Sequence, residues 1–168
     1  IIQNVFQYSG PPLDIDVVSS LFSAAGMGSS AALSNAFGAA MFAYINPREE
    51  LDTVKLAKIA HSAEATAQKG RASPTDTATS ALGGCLVVSG SEEHGTRHVF
   101  DTSLETPEGS REWSINAVDM PFGIEGAWLV IGYSGVGSPT GRMVSKVAKL
   151  LSEVPERMDE METIANIT

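Results

Sequence analysis

The feature that most constrains the fold is a stretch of small residues followed at once by an alanine-rich apolar segment. Residues 23–30 are all small except Met27, with glycine at positions 26 and 28, and the apolar segment runs from about Ser30 to Tyr44. This pattern predicts a helix that is buried on most sides and closely approached by its neighbours. Glycines before a helix let the backbone approach a ligand, and the free N–H groups there favour an anion. The alternative is an ordinary turn with Ser29 or Ser30 as the helix N-cap.

A second predicted helix, from about Glu49 to Lys69, carries an acid on its apolar side. Glu64 falls at helical spacing from Ala60 and Ala67, which predicts a buried carboxylate. Such a group needs a partner, either a neighbouring Lys or capping group, or a cation. Mg²⁺ takes one or two protein oxygens and completes its shell with water and phosphate. His61, one turn earlier, is interpreted as a packed helix residue.

The run Ser73-Pro74-Thr75-Asp76 opens a third, short helix that ends before Gly83-Gly84. Ser as N-cap, Pro at the first helical position and an acid near the third is a normal helix start, which is one interpretation of Asp76. The other is that Asp76 faces a substrate hydroxyl, because an aspartate can take or orient that proton in phosphoryl transfer.

The rest of the chain mixes strands and helices without strict alternation, which predicts an α+β layered fold. Ile1–Tyr8 reads as a helix. Strands are expected at Leu13–Val17, Cys85–Ser89, Arg97–Val99, Trp113–Ile115 and Ala127–Ile131, and two further helices at about Gly141–Leu151 and Pro155–Ile167.

Composition excludes several classes of protein. The 168 residues carry 20 Asp plus Glu against 11 Lys plus Arg, so neither nucleic acid nor an anionic membrane is an expected partner. Cys85 is the single cysteine, interpreted as a buried thiol, and no disulfide forms. His94 and His98 are interpreted as part of an exposed hairpin, since zinc needs three or four ligands. With no membrane span or signal pattern, the expected location is the cytoplasm.

Order and spacing of these elements resemble the GHMP kinases (galactokinase, homoserine kinase, mevalonate kinase, phosphomevalonate kinase). The segment 26–32 resembles the second motif of that family. The segment 72–77, followed by Ser80 and Gly83-Gly84, is similar to the archaeal-type mevalonate kinases, and Glu64 with Gln68 resembles the helix that supplies the magnesium carboxylate. Phe22 and Ala24 depart from the family's usual Pro and Gly, and one extra residue separates Gln68 from the Ser-Pro-Thr-Asp run.

The resemblance implies a GHMP kinase fold, with a ribosomal protein S5-like part over 1–90 and connecting strands plus the start of a ferredoxin-like domain over 91–168. It implies Mg²⁺-dependent transfer of the ATP γ-phosphoryl group to the 5-hydroxyl of mevalonate, a step of isoprenoid biosynthesis. The implied catalytic residue is Asp76, the metal ligands are Ser30 and Glu64, and the acceptor is bound by Ser73 and Thr75. The implied phosphate-binding residues are Gly26, Met27, Gly28, Ser29 and Ser30.

Two alternatives to this function stay open at this stage. In the first alternative, the acceptor is phosphomevalonate, homoserine or a sugar, because the glycine loop is shared across the family. In the second alternative, the chain is a nucleotide-binding fragment without activity. The family's Lys-bearing opening motif and glycine-rich third motif do not fall within Ile1–Thr168. The chain is accordingly expected to be a central segment, and a homodimer is an open oligomeric state.

Overall fold

The computed structural model describes residues 2, 5–22, 24–106, 109–119, 128, 130–137 and 140–165. Helices and one antiparallel sheet are combined in these residues, which confirms the α+β class. The elements in chain order are α1 (Ser29–Ile45), α2 (Thr53–Ala67), α3 (Thr75–Leu82), β1 (Cys85–Ser89), β2 (Arg97–Thr106), β3 (Gly109–Val118), α4 (Thr140–Glu153) and α5 (Glu156–Ala165).

Helix α1 packs on α2 and α3 through one narrow stripe of its surface. The buried residues of this stripe are Ala31, Asn35, Gly38 and Met41. The prediction that α1 is buried on most sides is wrong, since Leu33 on another side is 47% exposed. The contact is close: a β-carbon added to Gly38 would lie 2.8 Å from Leu56 Cδ1 of α2. Small residues therefore bring the axes of α1 and α2 near each other.

The other two predicted helices of this region exist, with different N-termini. Helix α2 begins four residues later than expected because the Asp52 side chain caps it, accepting hydrogen bonds from the N–H groups of Val54 and Lys55. Helix α3 has Pro74 at its N-cap position with no side-chain cap, so the expected capping role of Ser73 is wrong. The Ser73 hydroxyl instead donates to Thr75 Oγ1 at 3.1 Å.

The sheet has the order β1-β3-β2, with both pairs antiparallel. Strands β2 and β3 are far longer than the three-residue predictions, because they pair over nearly their whole length as a hairpin, with an irregularity between His98 and Phe100. One face packs on the helices in a core cluster, with Trp113 against its edge. The cluster consists of Ala57, Ala78, Phe100 and Ile115.

Three strand and burial predictions fail or fall outside the described residues. Leu13–Val17 forms no strand, because in the described residues it has no partner strand with which to complete its hydrogen bonds. Cys85 is exposed, since it opens the edge strand β1 after two glycines, so the buried-thiol interpretation is wrong. In the predicted strand 127–131, residues 127 and 129 lie outside the described residues, and Trp128, Val130 and Ile131 are not in a strand.

At the two ends the predictions have opposite outcomes. Ile2 and Val5–Tyr8 contain turns and bends rather than a helix. Helices α4 and α5 are confirmed, and they contact each other. Most of their large apolar side chains, including Met143, Val147 and Met161, are between one third and two thirds exposed.

Candidate active site

The loop before α1 places free backbone N–H groups at a helix N-terminus. Gly28 is the N-cap, in the left-handed conformation (φ 65°), and no side chain caps the helix. The alternative with Ser29 or Ser30 as N-cap is therefore wrong. Because the N–H of Ala32 is the first to bond back along the helix, to Gly28 O at 2.9 Å, the amides before it have no acceptor within the helix. These amides and the helix dipole favour an anion at this point.

Two residues of the loop besides Gly28 have positive φ angles. Gly26 (φ 72°) adopts this conformation at no steric cost, and nothing lies within 4 Å of where its β-carbon would be. Ala24 also has a left-handed backbone, with φ 55°. A β-carbon makes that conformation unfavourable, so the loop is strained at the position where the family usually has Gly.

Glu64 is 7% exposed, as the helical spacing predicted, and it reaches the beginning of α1. The exposed Ser30 hydroxyl donates a hydrogen bond to Glu64 Oε1 across 34 residues of sequence. The two predicted metal ligands are thus in direct contact. A hydroxyl and a carboxylate are oxygen donors of the kind Mg²⁺ prefers, with phosphate and water filling the remaining positions.

Asp76 is exposed in the first turn of α3, where the helix dipole stabilises its charge. A β-carbon added to Gly28 would lie 3.5 Å from Asp76 Cγ and 3.7 Å from Asp76 Oδ2. The carboxyl group therefore lies beside the glycine loop. The N-terminal ends of α1 and α3 are therefore adjacent in space, although Gly28 and Asp76 are 48 positions apart in the sequence.

Two cavities flank this arrangement. One of about 630 Å³ lies between the segment 15–21 and the outer side of α1, and Ser29 and Ser30 line its end. The other, of about 690 Å³, is lined by Ser73 on one side and by α4 residues on the other. The beginning of α1 and residues 72–73 thus each border space for a small molecule. Thr75, the second predicted acceptor residue, is exposed beside Ser73.

Buried polar residues outside the predicted set hold the segments of the site together. His61 is packed as predicted, but its Nε2 also donates to the carbonyl of Ala72 at 3.1 Å, and its ring packs edge-on against Trp113. Asn35 Nδ2 donates to the carbonyl of Thr77 at 3.0 Å. Sequence analysis missed Asn35, although its position four residues after Ala31 and three before Gly38 places it on the buried stripe.

The two remaining histidines lie near the start of β2 and in the loop before it. His98 Nε2 lies 3.0 Å from Asp101 Oδ1 within β2, and His94 is exposed in the loop before that strand. Hydrogen bonds from His98 and then Ser114 lower the pKa of Asp101 below its usual value. Across the described ranges, no cluster of three or more His, Cys, Asp or Glu side chains is arranged to hold a metal ion. Ser30 and Glu64 therefore need phosphate oxygens and water to complete a cation site.

Comparison with known proteins gives one match. The profile described as the GHMP kinases N terminal domain matches residues 1–84, which ends one residue before β1. The search of curated proteins and the search of solved structures each found no match to this chain. None of the helices in the described part of the chain is long and apolar enough to cross a membrane.

The matched residues contain the glycine loop, the Ser30–Glu64 hydrogen bond and Asp76 beside Gly28, so the match covers every predicted site residue. It extends over half of the chain, and the α+β fold is that expected for this domain. The chain therefore belongs to the GHMP kinase family, whose members are kinases that use ATP and act on small molecules.

Proposed function

We propose that this chain carries the phosphate-binding and catalytic residues of a kinase that transfers the ATP γ-phosphoryl group to the 5-hydroxyl of mevalonate, in isoprenoid biosynthesis. The observation that carries the proposal is the position of the Asp76 carboxyl group beside Gly28, next to the uncapped beginning of α1. A proton acceptor and a phosphate-binding loop then share one location, as the reaction requires.

The phosphate end of the nucleotide binds to the loop Gly26–Ser30, including Met27 and Ser29. The backbone amides at the beginning of α1 donate to phosphate oxygens, because they have no partner within the helix. Two glycines leave the space that a phosphate needs near the backbone, and the first of them has nothing within 4 Å of its β-carbon position.

The cation is held by Ser30 and Glu64, whose oxygen atoms already contact each other. Glu64, Asp76 and a triphosphate are all negative, so their approach requires a cation between them. When bound, Mg²⁺ neutralises the negative charge of the phosphates. The residues fit this ion, since it needs few protein ligands beyond the phosphates.

Asp76 accepts or orients the proton of the acceptor hydroxyl. The hydroxyl oxygen forms a bond to the γ-phosphorus while the bond from that phosphorus to the β,γ-bridging oxygen breaks, and ADP leaves with the electron pair. The hydroxyl proton passes to the Asp76 carboxylate, giving a phosphate ester and ADP. A positioned base of this kind contributes about 10²- to 10⁴-fold to the rate.

Mevalonate is the proposed acceptor because the Ser-Pro-Thr-Asp run resembles the archaeal-type enzymes. The Ser73 and Thr75 hydroxyls are exposed near Asp76 in sequence, and Ser73 borders the larger cavity, which supports a polar acceptor on this side. We further propose that residues 1–90 form the nucleotide-binding part, and that residues 91–168 comprise connecting strands and the start of a ferredoxin-like C-terminal domain.

The test is turnover by the purified intact protein with ATP, Mg²⁺ and a panel of mevalonate, phosphomevalonate, homoserine and a sugar, followed by coupled ADP detection. Asp76→Asn should lower kcat with mevalonate by about 10²- to 10⁴-fold without unfolding the protein. Asp159→Asn is the matched control, because Asp159 also lies exposed in the first turn of a helix, α5.

Different outcomes contradict different parts of the proposal. Full turnover by Asp76→Asn removes Asp76 from the mechanism. Turnover with another acceptor from the panel, and none with mevalonate, replaces the substrate but keeps the kinase. ATP binding without turnover of any acceptor supports the nucleotide-binding alternative.

A further inference from the structure

Asn35 is a buried polar residue in the contact between α1 and α3. It is 5% exposed, and it lies on the buried stripe with Ala31 and Gly38. Its Nδ2 donates to the carbonyl oxygen of Thr77 at 3.0 Å, across 42 residues of sequence. Thr77 directly follows Asp76, so this hydrogen bond joins the helix of the glycine loop to the backbone next to the proposed catalytic residue.

Packing alone does not explain an asparagine at this position. Asn35 Oδ1 is buried, and it has no hydrogen-bond partner in the part of the chain that the structure describes. An unpaired buried acceptor is unfavourable, whereas an apolar residue of similar shape would avoid that penalty. A side chain that keeps one unpaired atom while making one long-range hydrogen bond is expected where geometry matters more than stability.

The geometry points to a positioning role for Asn35, and we propose that it holds Asp76 at its place beside Gly28. Gly28 is the N-cap of the helix that carries Asn35 seven residues later, so the distance along the helix axis between the two residues is about 10 Å. At the other end, Thr77 is fully buried, and its hydroxyl donates to Pro74 O at 3.1 Å, which ties the first turn of α3 to itself. Movement of the Thr77 carbonyl therefore carries Asp76 with it.

This inference rests on the proposed function, since it assigns Asn35 a part in the step that Asp76 performs. The phosphate-binding amides belong to α1 itself and do not depend on the position of α3. Loss of the tether should therefore affect the chemical step and leave nucleotide binding nearly unchanged. A residue needed only for stability would not separate these two quantities.

The experiment compares Asn35→Leu with Met41→Leu in the intact protein. Asn35→Leu removes both the donor and the unpaired acceptor, while Met41→Leu is a near volume-conserving change on the same buried stripe. For Asn35→Leu we expect kcat to fall by about 10- to 100-fold, as small misplacements do, while the KM for ATP stays within about 3-fold. Its melting temperature should equal or exceed that of the unchanged protein, and Met41→Leu should keep kcat within about 2-fold.

A second variant and a second measurement keep the inference open to contradiction. Asn35→Ala avoids any overpacking by leucine and should show the same loss of kcat. Hydrogen exchange should show faster exchange of the α3 amides from Ala78 onward, the first of which donates to Pro74 O, in both variants, with α2 unchanged. Full kcat in both variants, or α3 exchange equal to that of the unchanged protein, overturns the positioning role.

The two proposals fail in distinguishable ways. If the unchanged protein turns over no acceptor, the proposed function fails. Hydrogen exchange, and a crystal structure of Asn35→Ala, then decide whether Asn35 holds the beginning of α3. If the unchanged protein is active and both Asn35 variants are equally active, the kinase assignment stands and the role of Asn35 is wrong.

Discussion

Helix α1 buries small residues against its neighbours, whereas helix α4 leaves large apolar residues exposed. This contrast shows how the site is positioned. Helix α1 contacts α2 and α3 mostly through small residues, with only Met41 long among the buried ones. Helix α4 presents large side chains, such as Met143 and Leu150, that are each 48% exposed. Greater side-chain hydrophobicity therefore does not give greater burial in this molecule.

The difference lies in how closely the neighbouring backbone approaches. Around α1, small residues let α2 and α3 come near enough for side-chain hydrogen bonds between segments, as Ser30–Glu64 and Asn35–Thr77 show. Those bonds fix register as well as contact, because each joins one specific donor to one acceptor. Within α4 and α5, the ion pairs Lys149–Glu153 and Arg157–Glu160 each join residues of a single helix. Functional geometry therefore depends on the closely packed helices.

Among the changes that test this contrast, the largest expected effect comes from a substitution at Glu64, which contacts Ser30 of α1. Glu64→Gln keeps an acceptor for the Ser30 hydroxyl but removes the charge that the proposed cation needs. We expect turnover to fall by about 10²-fold or more, because fixed charge stabilisation at a reacting phosphoryl group is lost. Thermal unfolding should change little, since the hydrogen bond is kept.

Glu160→Gln in α5 is the control for the loss of one acid. Its partner Arg157 lies on the same exposed helix, and such surface pairs contribute only about 0–1 kcal/mol, so turnover should be unchanged. The measurement is kcat over a Mg²⁺ titration. If Glu64→Gln keeps its rate and its Mg²⁺ dependence, Glu64 does not hold the cation.

Two methionines test the burial contrast directly. Met41 is 4% exposed on α1, and Met161 is 48% exposed on α5. Met41→Ala should lower the free energy of unfolding by about 2–5 kcal/mol, since it leaves a cavity. Met161→Ala should change it by about 0.5 kcal/mol or less. Urea unfolding at constant m-value measures both, and equal losses would mean that the apolar side of α5 is covered in the intact protein.

Local pattern was enough to predict much of the region that contains the candidate site. Apolar spacing located α1 and α2, while the Ser-Pro-Thr-Asp run and the two glycines after it located α3. The spacing of Glu64 from Ala60 and Ala67 predicted its burial correctly. The start of α2 was misplaced because the cap that determines it, Asp52, is one of several acids in that stretch. A spacing argument gives the face of a helix, and the capping residue gives its end.

The sequence alone could not predict which residues far apart in the chain form hydrogen bonds or pair as strands. The Asn35 side chain donates to the carbonyl of Thr77, 42 residues away, and no periodicity in the sequence predicts that partner. Strands β2 and β3 contain many charged and hydroxyl residues, so their length results from pairing with each other rather than from apolar alternation. The exposure of Cys85 could not be predicted for the same reason, since its apolar neighbours do not reveal that β1 is an edge strand.

The smallest effect concerns the loop that leads into α1, at Ala24. Its left-handed backbone (φ 55°) disfavours a β-carbon by about 1–2 kcal/mol, so Ala24→Gly should recover part of that free energy of unfolding. The gain is partial because glycine also adds entropy to the unfolded chain. Ala25→Gly is the matched control: Ala25 is not among the residues with positive φ, so the variant should lose about 0.4–1 kcal/mol of unfolding free energy. Urea unfolding of both variants decides the matter, and a loss at position 24 as large as that at position 25 would show that the loop in solution does not adopt this backbone. The close packing of α1–α3 would then fix the helices while leaving the loop before them free to take another conformation.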